Sequence, residues 1–247
     1  MFKYILLGII QGITEFFPVS SSGHLVIMQK LLGMAGGELS LSVVLHLGTA
    51  LALIVFFFKD IIEAARNVKL LLLIGVVTII TGVIGITGKD FFTALFSSPR
   101  LVAVALIVTG LILMRTRRFI HGRRDMLDIK DALVLGLAQG LAIIPGISRS
   151  GITISTLLSR KIDKATSFRF SFLACIPTIL GAMILEAKDI SLIPGADLKN
   201  FAVGFLFSFL TGLLSLKVLK TILLKAKLYY FGFYCIFVAL LTLVFIK

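Results

Sequence analysis

The chain has 247 residues, of which 58% are hydrophobic and only 15% charged, with a mean hydropathy of +1.09 and a formal net charge of +13. A soluble domain carries about a quarter charged residues, so this composition excludes an ordinary water-soluble fold and points to a membrane protein. The positive balance does not indicate nucleic-acid binding, because the basic residues lie in short segments between apolar runs, the positive-inside pattern of membrane proteins.

In chain order, the first element is Tyr4–Ile13, an apolar stretch behind Lys3 that could pass for a signal peptide. It lacks a small-x-small cleavage site, and its polar continuation recurs later in the chain, so it is read as retained. Residues 4–31 predict an apolar helix, a Pro- and Ser-rich break and a second short helix. Such an interrupted segment cannot be a simple span, since irregular backbone at membrane depth is tolerated only inside protein or along a cavity. A re-entrant helical hairpin satisfies that constraint. Uncharged runs follow at 39–58 and 70–88, close to the roughly 20 residues that cross a bilayer, and a shorter one at 101–114 is flanked by Arg100 and Arg115, which can snorkel. Spans are therefore expected at about 40–58, 68–88 and 99–115. A second hairpin is expected at 131–160, then spans at 166–187, 200–218 and 228–246. Cys175 and Cys235 lie inside apolar runs without CxxC spacing and read as packed thiols.

The two hairpins are related. Shifted by 128 positions, Gly8, Gln11, Gly12, Ser20, Ser22 and Gly23 fall on Gly136, Gln139, Gly140, Ser148, Ser150 and Gly151, with Pro18 and Pro145 one position out of step. Three spans per half would turn the second half upside down relative to the first. The expected fold is an all-α polytopic membrane protein, an inverted-topology repeat of six transmembrane helices plus two re-entrant helical hairpins. It forms one membrane domain, 1–247, with repeat 1 at 1–118 and repeat 2 at 128–247. Broken helices meeting at the midplane are familiar from secondary transporters, which makes transport the rival function.

The chemistry-bearing residues sit at the hairpin tips. Gln11 and Glu15 are four apart and share a helix face. Glu15 stands in otherwise apolar sequence, where a carboxylate is costly and functional by default. Ser20, Ser21, Ser22 and His24 follow at once. His46, on an apolar span without comparable neighbours, is assigned a structural role. In the second hairpin Arg149 interrupts the apolar stretch between Ser148 and Ser150, with Thr153 one turn on. A guanidinium fork suits phosphate oxygens, although pairing with Glu15 would also account for it. The serines read as helix N-caps, and a capped helix start is itself an anion site. Two such tips plus Arg149 suggest a lipid-borne phosphate.

On these residues the chain resembles the undecaprenyl-diphosphate phosphatase family, bacterial membrane enzymes associated with bacitracin resistance. The resemblance rests on Gln11…Glu15 for a (Glu/Gln)-x-x-x-Glu element, Ser20–His24 for Ser-Ser-x-Gly-His, and Pro145–Thr153 for Pro-Gly-x-Ser-Arg-Ser-x-x-Thr. It implies hydrolysis of undecaprenyl diphosphate to the monophosphate, the carrier of peptidoglycan precursors, in the bacterial plasma membrane. It also implies a divalent cation, Mg²⁺ or Ca²⁺, with Glu15 as protein ligand; Gln11 takes the amide option, so a two-carboxylate site is not expected. The expected catalytic set is Glu15, Ser21, His24 and Arg149, and the phosphate-binding set is Gln11, Ser20, Ser22, Ser148, Ser150 and Thr153. Ser21 with His24 as base, His24 itself, or a water activated by His24 all remain open as nucleophile, with Glu15 orienting His24. A carrier-lipid flippase is the alternative function. Oligomeric state stays open, a homodimer included.

Loop charge orients the chain. Segments 59–69, 115–130, 160–169 and 217–227 hold 17 Lys and Arg residues, against 7 on the alternate side: Lys3, Lys30, Lys89, Arg100, Lys188, Lys199 and Lys247. The four rich segments are therefore expected in the cytoplasm, with both termini outside and the site opening outward. Cysteines introduced at Arg117–Arg124 should resist impermeant thiol reagents in intact cells and react only after the membrane is opened; labelling from outside would reverse the topology.

Overall fold

Helices end where the sequence supplies a break. The computed structural model describes residues 1–34, 39–96, 98–119, 122–190 and 198–245. Helix α1 (Phe2–Phe16) stops ahead of Pro18, with Phe17 already extended at φ −63° and ψ 144°. α2 (Ser21–Leu31) starts at an N-cap, Ser20, whose hydroxyl accepts the Gly23 amide. α3 (Leu39–Phe56) turns into α4 (Phe58–Ala65). α5 (Val68–Thr87) is capped by Asn67, and after α6 (Lys89–Phe96) α7 (Pro99–Arg115) is capped by Ser98, with proline at its first turn. α8 (Ile129–Leu141) opens with a capping box between Asp128 and Asp131. α9 (Arg149–Ser159) is capped by Ser148, and α10 (Lys164–Ile190), α11 (Leu198–Leu224) and α12 (Tyr230–Phe245) complete the chain.

The described residues hold no β-strand, only an isolated bridge between Arg124 and Ile162. Among them, four helices are long and apolar enough to cross a membrane: 68–87, 99–118, 164–185 and 198–224. A fifth span is added if α3 and α4, bent by 69° at their junction, count as one broken crossing; α12 is apolar but shorter. The outward side chains are apolar: Leu72, Ile79, Val83 and Ile86 on α5 and Phe237 and Val244 on α12 are exposed. Water would not tolerate apolar surface on that scale, and lipid removes the objection. The chain is thus a multi-pass, all-helical membrane protein. Two expected loops are partly helical. Residues 59–69 contain α4, whose Asp60 favours a helix start, and α11 runs on into 217–227. Residue 246 of the last expected span and Lys247 lie outside the described residues, as does the side chain of Lys188.

The segments expected to form the two hairpins are the contacting helix pairs α1–α2 and α8–α9. Each leans on a long helix from the other half of the chain, α1 on α11 and α8 on α5. Small residues permit that approach. A Cβ on Gly8 would lie 2.5 Å from the Gly204 carbonyl oxygen, and one on Gly12 only 1.9 Å from Thr211 Oγ1 and 2.6 Å from the Ser208 carbonyl oxygen. Gly136 and Gly140 make room instead for side chains of α5, Ile80 at 2.9 Å and Ile84 at 2.4 Å from an added Cβ. Beneath the first hairpin, Phe16 meets Phe172 edge-on at 5.8 Å in a core shared with Phe57 and Phe168.

The four basic segments meet at one end. Arg124 and Arg160 both bond the fully buried Asp131 carboxylate. Arg169 pairs with Asp60 at 2.5 Å and Glu63 at 2.6 Å, and Lys164 donates to the Leu224 carbonyl at 3.2 Å. Lys3 caps the Leu32 carbonyl at 2.9 Å, tying the N-terminus to the far end of α2.

Gly12→Val should lower the detergent unfolding midpoint, because the backbone of α11 cannot yield and overpacking costs about 1–3 kcal/mol or more. Gly75→Ala, where an added Cβ meets nothing within 4 Å, should leave it unchanged or raise it slightly. Thermal unfolding of both variants in one detergent checks the contrast.

Candidate functional site at the hairpin tips

An ionised carboxylate inside a membrane protein needs partners, and Glu15 is surrounded by them. Its side chain is 5% exposed. Oε1 receives the Arg149 guanidinium from the other hairpin, 134 residues away. Oε2 accepts the Ser21 hydroxyl at 2.5 Å and the Gln11 amide at 3.1 Å. Because the Gln11 nitrogen must face the carboxylate, its oxygen points away, buried and without a partner.

The tips are locked to each other through backbone as well. Ser20, at φ +67°, accepts both the Gly23 amide and, across the gap, the Gly146 amide at 3.1 Å. Ser150 donates to the Phe17 carbonyl at 3.3 Å. Gly146 is in the left-handed region at φ +98°, and a Cβ there would fall 2.4 Å from the Val102 carbonyl oxygen, so only glycine fits. Thr109 of α7 secures this tip, donating to the Gly146 carbonyl at 2.8 Å and accepting the Ser148 amide at 3.1 Å. Ser20 and Ser148 each cap their helix while bonding Ser22 and Ser150, both at 3.3 Å. The first amides of α2 and α9 have no acceptor within their helices, so two positive helix ends converge beside Arg149.

Of the expected residues, Gln11, Glu15, Ser21 and Arg149 form one cluster and Ser20, Ser22, Ser148 and Ser150 build the tips around it. Thr153 faces elsewhere: its hydroxyl bonds the Arg149 carbonyl at 2.7 Å and Ser171 at 2.6 Å, which steadies the helix start carrying Arg149. His24 does not pair with Glu15 or Ser21. Its Nδ1 donates to the Ser20 carbonyl at 2.8 Å, which leaves Nε2 as the acceptor for the Tyr234 hydroxyl at 2.9 Å. The two rings stack at 5.6 Å and 5°. The helix-turn bond back to Ser20 and the α12 tyrosine together draw the imidazole away from the carboxylate. His46 also departs from expectation, since it does have a charged neighbour: its Nε2 lies 3.7 Å from Glu15 Oε2.

Sequence reading missed Tyr234, Thr109 and this placement of His46. Tyr234 and Thr109 carry lone hydroxyls in apolar spans, too weak a signal alone. The signal for His46 was present, because an ionisable residue within a span is functional by default.

No group of three or more His, Cys, Asp and Glu side chains able to hold a metal ion occurs among the described residues. A cation resident on protein ligands alone does not suit this site; for one arriving with phosphate oxygens the Glu15 carboxylate would be the protein ligand, since Gln11 Oε1 points away from it.

Comparisons with known proteins agree with one another. The family model described as bacitracin resistance protein BacA matches residues 4–241. Among curated relatives, the undecaprenyl-diphosphatase of Halothermothrix orenii is 40% identical over 99% of this chain and 97% of its own length. Those of Alkaliphilus metalliredigens and Carboxydothermus hydrogenoformans are each 42% identical over 94% of this chain, covering 94% and 92% of the respective relatives. With a match across nearly its whole length and its motif residues gathered at one point, the chain belongs to the BacA bacitracin resistance protein family.

Proposed function

We propose that the chain hydrolyses undecaprenyl diphosphate to undecaprenyl phosphate and inorganic phosphate, and that this activity underlies bacitracin resistance and carrier-lipid recycling. The observation that carries the mechanism is the Ser21–Glu15 hydrogen bond, a hydroxyl aimed at a carboxylate that is paired with Arg149. A flippase would need charge recognition at the tips but no such nucleophile–base pair.

Ser21 Oγ attacks the terminal phosphorus while Glu15 Oε2 takes its proton. The bridging P–O bond breaks, and its electron pair leaves on the lipid monophosphate. Arg149 uses one of its five N–H groups on Glu15, and the others, with the free amides of Ser21, Ser22 and Ser150, stabilise the charge on the equatorial oxygens. Water then displaces Ser21 from phosphorus. His24 and Tyr234 hold the start of α2, and so Ser21, in place. A divalent cation bound to the diphosphate would be held on the protein side by Glu15 and would neutralise phosphate charge.

The same reading takes the architecture as an inverted repeat of six spans and two re-entrant hairpins. The paired small-residue contacts of α1 with α11 and α8 with α5 support it, as do the equivalent Ser20 and Ser148 caps. The meeting of all four basic segments at one end supports a shared cytoplasmic side, with both termini outside and the site opening to the outer face of the plasma membrane. A homodimer is compatible with this arrangement.

Arg149→Lys keeps the charge but loses the planar fork. Phosphate release from undecaprenyl diphosphate in detergent should fall roughly 10²–10³-fold, the usual cost of losing one transition-state contact in a water-poor site, while the protein stays folded. Near-normal turnover would leave Arg149 a structural partner of Glu15 only. Ser21→Ala should abolish release under the same conditions; retained turnover would remove Ser21 as nucleophile.

A further inference from the structure

Away from the hairpin tips, the basic end of the molecule holds a cleft of about 230 Å³. It lies where two spans begin. Asn67 and Lys69 come from the start of α5, Thr166 and Arg169 from the first turns of α10, and Asp125 from the link that leads into α8. The inner wall is apolar and buried, made by Leu73, Phe170 and Leu173. The polar groups at the mouth are not engaged with one another. Lys69 and Asp125, both exposed, and the Thr166 hydroxyl bond no partner among the described residues. Arg169 pairs through Nε with Asp60 and through Nη2 with Glu63, which leaves Nη1 without an acceptor among them. Asn67 receives the amides of Leu70 and Leu71, so those of Val68 and Lys69 have no acceptor within their helix.

We propose that this cleft binds the head group of a phospholipid that carries both a phosphate and a primary ammonium, as phosphatidylethanolamine does. Depth is the first reason. The apolar helices 68–87 and 164–185 both start here, which sets the cleft at the level where head groups meet hydrocarbon, and Leu71 and Leu72 beside it on α5 are exposed. Charge is the second. Lys69 and Arg169 stand among three carboxylates, Asp125 at the mouth and Asp60 and Glu63 on the arginine, so a head group that is only anionic is poorly served. A zwitterion uses both signs. Its phosphate is met by Lys69, by Arg169 Nη1 and by the unengaged amides at the start of α5, and its ammonium donates to Asp125 and to the Thr166 hydroxyl oxygen. A trimethylated ammonium has no N–H to donate, and a glycerol head group has no cation for Asp125. The apolar wall takes the first methylenes of an acyl chain, surface that a soluble phosphoethanolamine would leave facing water. Residues 125–127 run directly into Asp128, the cap of α8, so the bound lipid ties the link between the two halves to the starts of α5 and α10. The site depends neither on the hydrolytic mechanism nor on which face of the membrane it occupies.

The test offers purified protein in detergent an equal mixture of dioleoyl phosphatidylethanolamine, phosphatidylcholine and phosphatidylglycerol, with retained lipid read by native mass spectrometry. Wild type should retain phosphatidylethanolamine with about tenfold or greater preference over either competitor, the ratio that one charge-assisted hydrogen bond supplies. Asp125→Asn should abolish that preference and raise phosphatidylglycerol, because the carboxylate that repels an anion is gone. Lys69→Gln should weaken retention of phosphatidylethanolamine without raising phosphatidylglycerol. Equal retention of the three lipids by wild type would overturn the proposal, as would an unchanged preference in Asp125→Asn. Both side chains are exposed and unpaired, so neither substitution should move the unfolding midpoint in lipid-free detergent; a shifted midpoint would show them engaged within the protein and would count against the site. Glycerophosphoethanolamine, the same head group without acyl chains, should fail to displace the lipid even in large excess. Displacement by it would assign the cleft to a soluble ligand instead.

Discussion

Glu15 and Arg149, both largely buried, each supply the other's counter-charge. Removing one partner of a buried pair costs about 3–5 kcal/mol, since the remaining charge is left uncompensated. The bond spans 134 residues and joins two hairpins that reach the centre of the molecule separately. Everything else near the tips serves that encounter. Ser20 and Ser148 start the helices that carry Ser21 and Arg149, Thr109 fixes the second tip against α7, and Gly146 lets the backbone pass Val102.

The encounter needs close helix packing in a solvent that offers no hydrophobic drive between helices. Gly8 and Gly12 let α1 settle against α11 backbone to backbone, with Gln11 and Glu15 buried and Ile13 exposed. At the far end, Asp131 and its two arginines hold the entry and exit of the second hairpin together. The polar network there sets the base from which Arg149 projects.

Much of the fold was legible because the signals were local. The helix breaks between α1 and α2 and between α8 and α9 fall where Pro18, Pro145 and the serine clusters predict them, and α7 begins and ends at the expected residues, 99 and 115. The bend at Phe57 and the helical character of 58–65 were not legible, since nothing in a 59–69 loop rich in charge distinguishes an interfacial helix from coil. At the site, Glu15, Ser21 and Arg149 were legible as costly or reactive groups in apolar surroundings. The direction of His24 was not, because its partner Tyr234 lies 210 residues away on another helix. His46 was legible as an ionisable residue in an apolar span, but its place beside Glu15 was not, since that depends on how α3 packs against α1.

The Gly146 amide bonded to Ser20 and the Ser150 hydroxyl bonded to the Phe17 carbonyl make the two tips one mechanical part. Parting them to admit a bulky lipid headgroup would break both of these hydrogen bonds. The rim offers a route that does not, and there the side chains of His46 and Arg149 are partly open. A lipid entering sideways would then present its terminal phosphate first and leave its prenyl tail in the bilayer throughout the reaction.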